Sequence, residues 1–87
     1  MANIQVIVTI KGGAGEVILT MAGIPDIHLT SSCTANLPLS SGDHFIMVGA
    51  IPPDGGTIEI SFHQDDTSLA SHTFKSPKTI PFLLEVS

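Results

Sequence analysis

Ile4, Val6, Val8 and Ile10 alternate strictly with Gln5, Ile7, Thr9 and Lys11, the period of two that turns one side of a strand toward a core. A Gly12-Gly13-Ala14-Gly15 segment interrupts this run, and Val17, Leu19 and Met21 resume it. Read as a hairpin, the register sets Lys11 against Glu16, Ile10 against Val17, Val8 against Leu19 and Val6 against Met21. Every inward partner is then apolar, and opposite charges meet beside the turn. Ile7 is the one large apolar residue on the other side of the first strand. It marks this long, β-branched segment as a candidate edge for pairing with another chain.

The pattern continues as strands. Gly23-Ile24-Pro25-Asp26 reads as a break, followed by a third strand from Ile27 to Ser32. Cys33 to Asp43 is Ser-rich and reads as a loop with a short edge segment around Leu37 and Leu39. From His44 to Ala50 the run Phe45-Ile46-Met47-Val48 is almost continuously apolar, which predicts a central strand buried on both faces. Pro52-Pro53-Asp54-Gly55-Gly56 is the strongest turn. After it Ile58, Ile60 and Phe62 alternate with polar residues. Gln64-Asp65-Asp66 connects to a strand from Thr67 to Phe74. Lys75-Ser76-Pro77-Lys78 leads to a last strand with Ile80, Phe82, Leu84 and Val86 on one side, and its Pro81 predicts a sheet edge.

About seven short strands at spacings of roughly 8 to 12 residues, with no helical period, predict an all-β protein: a small antiparallel β-sandwich of immunoglobulin-like size, residues 1–87 forming one domain. The Cys, Trp and Tyr hallmarks of true immunoglobulin domains are missing, because the chain has one Cys, no Trp and no Tyr.

Composition narrows the function. Charged residues are 13% of the chain, about half the usual quarter, so the surface is covered by hydroxyls and apolar atoms. Such a surface suits an extracytoplasmic β-module or a subunit covered by neighbours. Net charge is −5, with three Lys and no Arg. That argues against nucleic acid and against an anionic membrane surface as partners, and no apolar stretch is long enough to span a bilayer. Met1-Ala2-Asn3 leads straight into alternation with no basic region, which gives no signal-peptide reading. A lone Cys33 excludes an internal disulfide. A soluble protein is expected, either one that stays in the cytoplasm, the slightly better fit, or a mature chain from which a leader has been removed.

Candidate chemistry is sparse. The glycine cluster lacks the Lys-Ser/Thr and the helix of a phosphate loop. Cys33 has no local base or oxyanion site to make it a nucleophile. The aspartates occupy turns rather than paired catalytic positions, and flat Trp or Tyr platforms for sugars or single strands are missing. The expectation is a non-enzymatic interaction or structural module without a cofactor. It is expected to self-associate, or to join a larger protein assembly, through a sheet edge. The alternative is a small-ligand or divalent-metal site on the hairpin bearing His63, Asp65, Asp66 and His72. A regular register there sets His63 against Ser68 and Glu59 against His72, so that both imidazoles and a carboxylate share the solvent side. Residues two apart on a strand are about 7 Å apart, so the loop would have to help them converge on one ion.

Overall fold

The computed structural model describes residues 2–87, and Met1 lies outside the described residues. Eight strands are present: β1 (Ala2–Lys11), β2 (Glu16–Met21), β3 (Ile24–Leu29), β4 (Cys33–Leu39), β5 (Gly42–Ile51), β6 (Thr57–Gln64), β7 (Thr67–Phe74) and β8 (Lys78–Val86). They form two four-stranded sheets, ordered β4-β1-β6-β7 and β3-β2-β5-β8, in which every neighbouring pair is antiparallel. The all-β sandwich is therefore as expected. Among the described residues no helix is long and apolar enough to cross a membrane.

Inward rows from both sheets build one core. Val6, Val8, Ile58, Ile60 and Phe62 come from the first sheet, and Val17, Leu19, Ile46, Val48 and Leu84 from the second, all essentially excluded from solvent. Each such side chain contributes on the order of 1.5 to 3 kcal/mol. Phe62 and Phe82 meet across the layers with ring centroids 5.4 Å apart.

The first two strands are not a hairpin. β1 lies between β4 and β6, while β2 lies in the opposite sheet. The inward row of β1 finds its lateral apolar partners in β6, where Val6 pairs with Phe62, Val8 with Ile60 and Ile10 with Ile58. Alternation says which side of a strand is inward. It does not say whether the matching row lies beside it or across the core. The glycines serve this crossing: Gly12 and Gly13 have φ of 96° and 141°, and the segment packs against the Pro52–Gly56 turn, which also crosses between sheets. A Cβ on Gly12 would lie 2.7 Å from the Gly56 Cα, and one on Gly56 would run into the carbonyl oxygen of Lys11.

Only β2–β3 and β6–β7 are true hairpins. The first turns at Ala22-Gly23, with Gly23 at φ 80°. The third strand therefore starts at Ile24 and contains Pro25 rather than following it. Cys33 to Leu39, expected to be mostly loop, is a full edge strand beside β1. Its pairing is extended by Ser32, whose Oγ accepts from the Ile10 amide at 2.9 Å. β5 is central, as expected, but it is buried on one side only, because Phe45, Met47 and Ile51 point outward and are exposed. β8 is an edge strand, as Pro81 predicted. At its end the Gln64 side chain clasps the Ser87 backbone, accepting from the amide at 2.9 Å and donating to the carbonyl at 3.1 Å.

Candidate functional site

The β6–β7 hairpin does not gather the four residues expected to hold a metal. Phe62 pairs with Ala70 and His63 with Ser68, leaving Leu69 as an extra residue in β7. This bulge moves every later residue of β7 to the other side of the sheet. His72 consequently sits opposite Ile60 instead of Glu59. It faces the interior margin, its ring 4.8 Å edge-on from Phe74 and 6.4 Å from Phe82. His63 remains outside, its Nε2 3.0 Å from the Ser61 Oγ. Asp65, at φ 53°, and Asp66 form the turn and border a shallow dip with Asn3 and Gln5. Among the described residues no three His, Cys, Asp or Glu side chains are close enough to share an ion. Cys33 stands opposite Val8, half-buried against the core.

Burial separates the two outer faces. That of the first sheet is polar: among the described residues Ile7 is its one exposed large hydrophobic side chain, 37% exposed, between Thr34 and Ser61. It borders a shallow depression of about 580 Å³ together with Thr9, Glu59, Ser71 and Thr73. β1 is flanked on both sides, so Ile7 lies on a face and not on an open edge.

The outer face of the second sheet is apolar. Of the five large hydrophobic residues exposed among the described residues, four lie here: Phe45 at 70%, Ile51 at 52%, Leu83 at 46% and Met47 at 41%. Pairing sets Phe45 beside Leu83, Met47 between Thr20 and Pro81, Gly49 between Ile18 and Thr79, and Ile51 beside Glu16. Gly49 has no side chain. The resulting depression of about 380 Å³ is bordered by Ile18, Ile51, Pro77, Lys78 and Thr79. Charges stand at its limits: Asp43 and Glu85 are direct neighbours at one end, and at the other Glu16 stands beside Ile51, 3.4 Å from His28, while Lys78 at the start of β8 falls in the inward row opposite Ala50.

Sequence reasoning missed this face because an unbroken apolar run in β5 has two solutions, two-sided burial or an apolar exterior. The signal that separates them is Leu83. It alternates out of phase with the inward row Phe82, Leu84 and Val86, so the neighbouring strand also carries apolar area outward.

No protein-family model, no curated protein and no solved structure matches the chain.

Proposed function

We propose that the protein is a non-enzymatic interaction or structural module that associates with protein through the outer face of the β3-β2-β5-β8 sheet. One observation carries this reading: Phe45, Met47, Ile51 and Leu83 share that face, whereas among the described residues the opposite exterior has only Ile7. An apolar centre with charges at its limits is the layout of a protein–protein contact.

The strand edges support a face rather than an edge as the contact. Three of the four edge strands contain a proline, Pro25 in β3, Pro38 in β4 and Pro81 in β8, and the fourth, β7, carries the bulge at Leu69. Both features discourage a further strand from docking. The reading thus departs from pairing along β1, whose two sides are already occupied.

A photo-crosslinking residue placed at position 47 or at position 9, in the cells that make the protein, tests this. Adducts with protein are expected from position 47 and not from position 9. A chain that yields none from position 47, or yields them equally from both, would remove the proposal.

A further inference from the structure

We infer that the occupant of this apolar face is a second copy of the chain, packed face to face about a two-fold axis that crosses β5 at Met47. The inference rests on the face being a protein contact and adds who covers it and in what register. The outward row of β5 is Asp43, Phe45, Met47, Gly49, Ile51, with Met47 at its centre. A two-fold axis lying in the contact plane across the strands reverses this row, so each residue of one copy meets its mirror position in the other. Met47 meets Met47. Phe45, the most exposed large hydrophobic side chain among the described residues, falls on the depression at Gly49 of the other copy, and that copy returns its Phe45 to the first. Two projections and two hollows are thereby filled by one operation, as a closed isologous contact requires.

Charge selects this orientation over the other face-to-face possibility. With the axis along the strands, the Asp43 and Glu85 ends of the two copies would coincide and four carboxylates would meet. Reversal carries Glu85, which lies at the level of Asp43, to the level of Pro77 and Lys78 on the other copy. Asp43 is carried to the level of Ile51 and Glu16, so the Asp43 and Glu85 carboxylates of the two copies are separated to opposite ends.

The dimensions match a face-to-face contact. The molecule extends 38 by 25 Å across its broad faces, an outline of the same order as the roughly 800 Å² per partner of a standard interface, so a dimer of that size would use most of the face. Aligned sheets packed about 10 Å apart leave room for side chains of this size to interdigitate.

Sedimentation of the purified full chain from micromolar to several hundred micromolar concentration tests the partner. The mass is expected to rise from 9.1 kDa toward twice that value. Gly49→Leu tests the register, because a merely sticky surface would associate better with more apolar area, whereas a filled hollow excludes Phe45. The variant is expected to weaken the dimer at least tenfold while melting as the parent monomer does, since a Cβ at Gly49 meets only the Thr79 hydroxyl at 3.4 Å. In a Cys33→Ser background, Met47→Cys is expected to be joined to its copy by a short bismaleimide crosslinker, whose arm bridges facing positions of sheets about 10 Å apart where a direct disulfide cannot, and Ile51→Cys is not. A parent chain that stays at 9.1 kDa throughout overturns the second-copy assignment, and crosslinks from position 47 to another protein in cells would leave the broader reading standing. A dimer strengthened by Gly49→Leu, or crosslinked equally from both cysteine positions, overturns the register.

Discussion

At the scale of single residues, side-chain parity is the property most directly written in the chain. Ile4, Val6 and Val8 are buried as their alternation predicted, while Gln5, Ile7 and Lys11 point out. Val8→Asp places an unpaired carboxylate among aliphatic side chains, at a cost of several kcal/mol against a total stability of about 5 to 15 for a small domain. The variant is expected to lose its β-sheet circular dichroism at room temperature, and a cooperative thermal transition close to the parent's would contradict the core assignment. Parity fails where local geometry resets it. His72 could not be placed from sequence, because Leu69 contributes an extra residue between it and the turn, and neither Leu69 nor its neighbours carry a bulge signal such as glycine. The proposed metal hairpin depended on an unbroken register, so the same single residue that inverted His72 also separated it from His63.

At the scale of elements, seven of the eight strands were legible, β4 having read as mostly loop, and the neighbours of each strand were not. The β5 and β8 assignments as central and edge followed from an apolar run and from Pro81, both of which are properties of one strand. Whether Gly12–Gly15 made a hairpin or a crossing depended on contacts with Pro52–Gly56, a segment some forty residues away, and no local pattern encodes that. The contact has a measurable consequence. At Gly56 an added Cβ collides with the Lys11 carbonyl, which is backbone and can yield only by moving β1. Gly56→Ala is expected to destabilise the fold by about 2 to 4 kcal/mol in urea denaturation. Gly55→Ala, where φ is 71° and the space is open, incurs only the left-handed backbone penalty of roughly 1 kcal/mol. Equal losses at the two positions would mean that the two crossings do not touch. That result would return the glycine segment to the status of an independent turn.

At the scale of the whole molecule, the two exteriors of one sandwich have opposite character, and this asymmetry separates folding from association. The weakly charged composition anticipated a covered surface, but composition is an average and cannot say which face is covered. Ile7 and Met47 make a matched pair for deciding it: both are central in their sheets, both point outward, and they are 37% and 41% exposed. Lys in either place keeps its ammonium in water while its stem lies along the sheet, so both Ile7→Lys and Met47→Lys are expected to fold with melting temperatures within a few degrees of the parent. Their association should differ. Ile7→Lys leaves the apolar face untouched and is expected to sediment as the parent does. Met47→Lys places two ammonium groups against each other at the proposed axis and is expected to remain monomeric at every concentration, because like charges opposed in a desolvated contact cost several kcal/mol. If instead Ile7→Lys abolished association and Met47→Lys preserved it, the contact would lie on the hydroxyl-rich sheet, and the apolar exterior of β5 and β8 would need another explanation.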